Sequence, residues 1–262
     1  MKLVLKVLGL ITYKLLSLLS AIHRNRYPHM VVYTDDVLSQ KLQVYGKYEK
    51  EFLECLEKNV LPNFTDKICL DIGANIGNHS LTFSNYFKHI YSFEPNKRTF
   101  QLLKLNTSNK ENITPFNVGA SDVNKVYQAY EVVGNTAASR IVEGTEALND
   151  KEDYTSYECK ILDDYLPEEV TSEIGFIKID VEGHEYQAVK SCTEIIKKSK
   201  PTLVLEILKS SYVNGSYEVI NLLKELGYSS FYELHKVAFL YVKMRKIETF
   251  KRKNYKMILA KF

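Results

Sequence analysis

Leu70-Asp71-Ile72-Gly73-Ala74-Asn75-Ile76-Gly77-Asn78 is the stretch on which the reading of this chain turns. The run KICLDI (67–72) before the glycines suits a strand buried on both faces, and Asn78 to Phe87 after them has helical spacing. A glycine-bearing turn from strand to helix is a nucleotide-receiving geometry. Gly73 and Gly77 leave room for a ligand to approach the backbone, and the helix start offers unpaired N–H groups. Asn75 tolerates a left-handed conformation, and its amide can bind a ligand. The spacing is not the G-x-G-x-x-G of dehydrogenases. Asp71 places a carboxylate before the turn, which repels a pyrophosphate and suits a ligand carrying a cationic group.

Working outward, strands and helices alternate. HIYSFEP (89–95), ITPFNVG (113–119), GFIKID (175–180) and TLVLEI (202–207) read as further strands. Tyr48 to Asn59, Arg98 to Ser108, Glu185 to Lys197 and Tyr217 to Glu225 read as helices, with strand-like FYELH and YKMILAKF at the end. The pattern predicts an α/β fold, a doubly wound and mostly parallel sheet, over residues 67–262. Residues 31–66 are a helical lead-in. The polar interval 125–164, with Gly134 and Gly144, is expected as an insertion over the sheet's carboxyl edge, where such folds bind ligands.

The 262 residues are 45% hydrophobic and 26% charged, a globular balance that excludes a disordered or collagen-like chain. Cys55, Cys69, Cys159 and Cys192 lie far apart with no C-x-x-C pair, so reduced, mostly buried thiols in a cytoplasmic protein are expected. The net charge of +3 hides a strong asymmetry: residues 1–30 carry +5, residues 236–262 carry +8, and the 205 between them −10. In residues 1–30, Lys2, Lys6, Tyr13, Lys14, Ser17, Ser20 and Arg24 fall on one stripe of a cationic amphipathic helix whose remaining circumference is largely Leu, Ile and Val. No uninterrupted apolar run reaches membrane-spanning length. Such a helix can lie in an anionic membrane interface through residues 1–26, pack on a protein, or act as a signal anchor. The expected place is the cytoplasm or the inner face of a membrane. The Lys-rich C-terminus reads as a solvated face, and no nucleic-acid motif accompanies it.

Three strand ends carry polar groups in register. After Asp71 come Glu94 and Asn96, where an acid can hold a ribose diol, and Asp122, where a carboxylate can accept from an adenine amino group. A fourth end, Ile177-Lys178-Ile179-Asp180-Val181-Glu182-Gly183-His184-Glu185, offers Asp180, Glu182 and His184 as candidate general bases. Asp180, Glu182 and Glu206 are the acids that would hold a divalent ion, but no metal is expected.

DIGANIGNHSL, FEPN, NVGASD, LDDYL, IGFIKIDVEGHEYQAVKS and PTLVLEI, in that order, resemble the FkbM-type methyltransferases over about 48–207. The resemblance implies a seven-stranded Rossmann-like sheet whose last strand runs antiparallel, S-adenosyl-L-methionine as cofactor, and O-methylation of a sugar, glycan or lipid-linked glycan hydroxyl. It places Asp71, Gly73, Asn75 and Gly77 along the methionine part of the cofactor, Glu94 and Asn96 at the ribose, Asp122 at the adenine, and Asp180, Glu182 and His184 beside the methyl. Asn135-Thr136 and Ser139-Arg140 of the insertion are candidates to contact the acceptor. Two other readings compete. A nucleotide-sugar dehydrogenase or epimerase would use a Tyr-x-x-x-Lys pair, and Tyr186 with Lys190 and Tyr232 with Lys236 fit, though a chain with 19 Tyr makes such pairs by chance. A non-catalytic, membrane-associated cofactor-binding module is the third.

Overall fold

A computed structural model describes residues 1–130, 139–142, 154–237 and 241–262. Three helices lead in: α1 (Lys2–His23), α2 (Val37–Tyr45) and α3 (Lys50–Asn59). Asp36 caps α2, its carboxylate accepting from the Ser39 amide at 2.9 Å. α3 buries Phe52, Leu53, Cys55 and Leu56 against the sheet while its charged residues face outward.

The sheet is built from β1 (Ile68–Ile72), β2 (His89–Phe93), β3 (Ile113–Phe116), and later β8 (Ile174–Ile179), β9 (Thr202–Ile207), β12 (Ser230–Val237), β13 (Tyr241–Lys246) and β14 (Tyr255–Lys261). Their order is β13-β12-β14-β9-β8-β1-β2-β3. β9, β8, β1, β2 and β3 are mutually parallel, and β14 is antiparallel to both β9 and β12. This is the doubly wound Rossmann-like sheet, with the antiparallel strand in the expected place. Its central strands alternate between two cores. Leu70, Ile177, Leu203 and Leu205 face one layer with Val189, Ile196 and Leu223; Cys69, Phe176 and Val204 face the other with Leu56 and Phe83. Burial on both faces is why these strands read as unbroken apolar runs.

The structure departs from the sequence reading in four places. An eighth strand, β13, extends the sheet beyond the seven. It turns part of the basic C-terminal segment into an edge strand, where Val242 is buried and Lys243, Arg245 and Lys246 stay exposed. Charged side chains on an edge oppose pairing with other chains. The helix α4 (Asn78–Phe83) stops four residues early because the Asn112 amide donates to the carbonyls of Ser84 and Phe87 at 2.9 and 3.1 Å. The helix expected over 185–197 is two, α8 (Glu185–Lys190) and α9 (Thr193–Ser199). The Asp163 carboxylate accepts from the Glu194 and Ile195 amides, both at 2.9 Å, and so starts a new helix there. Finally, 113–119 is not one strand. Gly119–Ala120, as β4, joins a second sheet with β5 (Lys125–Tyr130), β6 (Arg140–Val142) and β7 (Tyr154–Lys160), in the order β4-β7-β5-β6.

The remaining helices are α5 (Lys97–Thr107), capped by Asn96, the single turns α6 (Leu162–Tyr165) and α7 (Glu168–Thr171), and α10 (Glu218–Glu225). The short pair β10 (Tyr212–Val213) and β11 (Ser216–Tyr217) lies before α10. All four cysteines are buried and unpaired. α1 buries no residue, and Leu3 is 74% exposed. Although Lys6 and Lys14 interrupt its apolar sequence, the continuous 22-residue helix is long and apolar enough to cross a membrane.

Candidate active site

A cavity enclosing about 1010 Å³ of space between atoms, its open mouth included, lies at the carboxyl ends of β1, β2 and β8. Its floor is the turn after β1. Gly73 takes φ +76°, and a side chain there would collide with the Asp180 carbonyl oxygen at the end of β8. Gly77 takes φ +96° and packs on Leu103 and Thr107 of α5. The room these glycines leave is therefore taken up by the chain itself, which lets the turn sit tight between two strands and a helix. Asn75 does adopt the left-handed conformation, φ 51°, with its side-chain oxygen accepting from the Ile76 amide at 2.7 Å.

Glu94, at the end of β2, is buried in the cavity wall. Its two oxygens accept from the Asn75 amide at 3.0 Å and the Asn96 amide at 2.9 Å. Burial outweighs these hydrogen bonds and pushes its pKa up to about 7. Asn96 does not line the cavity. Its side chain accepts from the Arg98 and Thr99 amides and donates to the Tyr157 hydroxyl, tying α5 to the second sheet.

Asp71 also lies outside the cavity lining. It is fully buried, accepts from the Ser80 hydroxyl at 2.6 Å, and pairs with Lys178 at 3.1 Å. Lys178 reaches from β8 to donate to the Gly73 carbonyl at 2.7 Å and lies 3.6 Å from Asp180. One ammonium therefore ties the glycine turn to two carboxylates.

The turn after β8 carries the candidate bases. Glu182 adopts φ 49° and Gly183 φ 101°, and the Gly183 amide donates to the Glu185 carboxylate at 2.7 Å. A left-handed glutamate is strained, and such strain collects at functional turns. Among the described residues Glu182 accepts no hydrogen bond and has no ion-pair partner, and its side chain lines the cavity. Burial, with Asp180 and Glu185 adding repulsion, pushes its pKa up to about 7. Asp180 lines the cavity beside it. Glu206, from β9, is raised further, to about 9, by burial and by the charges of Asp180, Glu49 and Glu182. Oxygens of Asp180, Glu182 and Glu206 lie within 4.8 Å of one another, a spacing one cation can span.

His184 lines the cavity but is 6% exposed. Its Nε2 lies 3.0 Å from the Ser121 hydroxyl, and its ring meets Tyr127 edge-on. Ser121 in turn lies 3.0 Å from the Tyr127 hydroxyl, so the histidine joins the turn after β8 to the second sheet. Asp122 is directed away, 3.7 Å from Lys190, and does not line the cavity.

Two further wall residues carried no functional signal in the sequence. Tyr48 and Glu49 come from the lead-in, held where the Asn78 side chain bonds the Tyr48 amide and carbonyl at 3.1 and 3.2 Å. Burial raises the Tyr48 hydroxyl. Burial would raise Glu49 too, but the His79 imidazole 3.4 Å away and the Lys178 charge hold it low. Ser139, a candidate acceptor contact in the sequence, lines the cavity together with Ile141, Tyr157 and Cys159. Asn135 and Thr136, like Gly134 and Gly144, fall outside the described residues.

The fold and this cavity define a Rossmann-like α/β protein with a ligand-sized cavity at the carboxyl edge of its parallel strands. The profile of the methyltransferase FkbM domain matches residues 71–230, more than half of the chain, and the protein belongs to that family. Among solved structures, the methyltransferase FkbM of Methylobacillus flagellatus is 15% identical, with a TM-score of 0.49. That match covers 95% of this chain and 58% of the other, so this chain spans less than two thirds of that protein. SMU.1697c of Streptococcus mutans, a putative methyltransferase in complex with SAH, is 12% identical over 76% of this chain and 90% of the other, at a TM-score of 0.42. No curated protein matches the chain.

Proposed function

We propose that this protein transfers a methyl group from S-adenosylmethionine to a hydroxyl of a sugar, glycan or lipid-linked glycan, with Glu182 as the base. The observation that carries the reading is the Glu182 carboxylate, unpartnered among the described residues, raised to about 7 and held in a left-handed turn that lines the same cavity as the buried Glu94. The donor set fits the cofactor. Glu94 offers a buried acid to a ribose diol, and Asp180, Glu182 and Glu206 gather carboxyl oxygens that can face a sulfonium.

Bound there, S-adenosylmethionine would supply an electrophilic methyl on a good leaving group. The protein's own work is then alignment and proton removal. Glu94 and the Asn75 turn would orient the nucleoside, and Lys178 holds that turn in place from behind. Glu182 would take the proton of the acceptor hydroxyl as that oxygen accepts the methyl group. A base with a pKa near ambient pH contributes roughly 10²- to 10⁴-fold. His184 and Asp180 are less available, being engaged with Ser121 and with Lys178.

α1 supports a location on a membrane. Its apolar side chains are exposed, it contains no acid, and Lys2, Lys6 and Lys14 share one stripe. A helix of this kind lies flat in an anionic interface with its lysines toward the headgroups.

Calorimetric titration with S-adenosylhomocysteine, with NAD as comparison, tests the cofactor. Micromolar binding of the former alone is expected; binding of NAD alone would sink the reading. Transfer of labelled methyl to a glycan acceptor separates an enzyme from a binding module.

A further inference from the structure

A second opening, enclosing about 1030 Å³ of space between atoms with its open mouth included, adjoins the active cavity and shares Tyr48 and Glu49 with it. Lys41, Lys47, Lys50, Lys236 and Lys256 line it, against the carboxylates of Glu49 and Glu51 alone. These lysines come from α2, the turn leading into α3, the start of α3 itself, β12 and β14, so the cluster exists only in the folded chain. Lys47, Lys50 and Lys236 are paired with Glu57, Glu54 and Glu51. No carboxylate lies within ion-pair distance of Lys41 or Lys256 among the described residues. Lys41 sits 5.1 Å over the Tyr48 ring, at the boundary between the two spaces. Glu49 is itself engaged with His79.

The two compartments differ in the groups that line them. Asp180, Glu182 and Glu206 gather in the inner one, lysines in the outer. We infer that the outer vestibule binds the phosphate of a phosphorylated acceptor, oriented so that its hydroxyl points inward to Glu182. Among the described residues the inner ammonium, Lys178, is taken by Asp71 and Asp180, whereas the outer lysines can attract a phosphate as mobile point charges. The electrostatic difference thus sets which end of the acceptor enters. This inference rests on the methyl-transfer reading for the word acceptor, though the anion site stands on its own residues. Phosphate of this kind can be carried by a lipid headgroup or by a soluble sugar phosphate.

The test titrates the full chain, and its Lys41→Gln/Lys256→Gln variant, with inorganic pyrophosphate and with dihexanoyl phosphatidic acid. Both probes are expected to bind, more weakly as salt rises and about tenfold more weakly in the variant. Absence of binding up to about 10 mM, or equal affinities in the two proteins, would overturn the inference. Tighter binding of the phosphatidic acid would assign the phosphate to a lipid, and tighter binding of pyrophosphate to a soluble acceptor. S-Adenosylhomocysteine is titrated into the same samples and is expected to bind both proteins alike. Pyrophosphate binding without S-adenosylhomocysteine binding would keep the anion site and remove methyl transfer; the reverse pattern would remove the vestibule alone.

Discussion

The Lys178 ammonium lies 3.1 Å from an Asp71 oxygen, and only 4% and 0% of the two side chains are exposed. Lys178 and Asp71 stand opposite each other on the neighbouring strands β8 and β1, which places the pair under the glycine turn. Burial would drive the lysine toward its neutral form, but Asp71 and Asp180 outweigh that and hold it charged. The cavity floor therefore rests on a charge pair that water does not reach.

Removing one member strands the other. Lys178→Met should destabilise the fold by about 3–5 kcal/mol, because Asp71 would be left buried without its counter-charge. Adding Asp71→Asn should recover part of that loss. Urea unfolding measures both; a Lys178→Met protein as stable as the parent would show that the pair contributes little.

Glu182, raised to about 7, is protonated below that pH and a competent base above it. Methyl transfer should therefore rise with pH through about 7. Glu182→Gln should lower kcat by roughly 10²- to 10⁴-fold and erase that limb of the profile, with S-adenosylhomocysteine affinity within about twofold of the parent. His184→Ala should behave differently, weakening cofactor affinity first, since His184 bonds Ser121 in the wall. An unaltered pH profile in Glu182→Gln would remove Glu182 from the role of base.

Glu206 links stability to pH. Its folded-state pKa, about 9, stands above the ordinary 4.5, so the folded chain keeps a proton the unfolded chain has lost between those values. Stability from this group is full below about 4.5 and declines as pH rises toward 9, by at most about 1.4 kcal/mol per pH unit. Glu206→Gln should flatten that decline. A thermal melt series from pH 5 to 9 reads it, and parallel slopes would contradict the assignment.

Deleting residues 2–22 should shift the thermal midpoint by no more than about 2 °C, since α1 buries nothing. The same deletion should abolish flotation with phosphatidylserine vesicles. Equal flotation of the two forms would place the membrane contact elsewhere or nowhere.

The strand–turn–helix from Ile68 to Phe83 was legible because its determinants are local: an apolar run, glycines at fixed offsets, and an asparagine suited to φ 51°. Glu94, Asp180, Glu182 and His184 were legible for a related reason. In a parallel sheet each strand end comes to the same edge, so counting strands brings those residues together. The resemblance to FkbM-type methyltransferases rested on the same blocks.

Other features depend on contacts between distant segments. Nothing near Gly73 in sequence indicates that it must clear the Asp180 carbonyl, nor anything near Lys178 that it will neutralise Asp71. The break between α8 and α9 needs the Asp163 carboxylate, and the end of α4 needs Asn112. Tyr48 and Glu49 sit in the wall only because Asn78 clamps their turn.

By itself, then, the sequence determined the parallel strands of the sheet and the edge at which the acids gather, since hydrophobic periodicity and turn residues act over a few positions, while the antiparallel strand followed from the family resemblance. Which acid is left without a partner, which is buried against Lys178, and how five lysines meet beside Tyr48 were decided by the tertiary structure alone. Charge interactions depend on distance and burial, and both arise only when segments far apart in the chain are packed together.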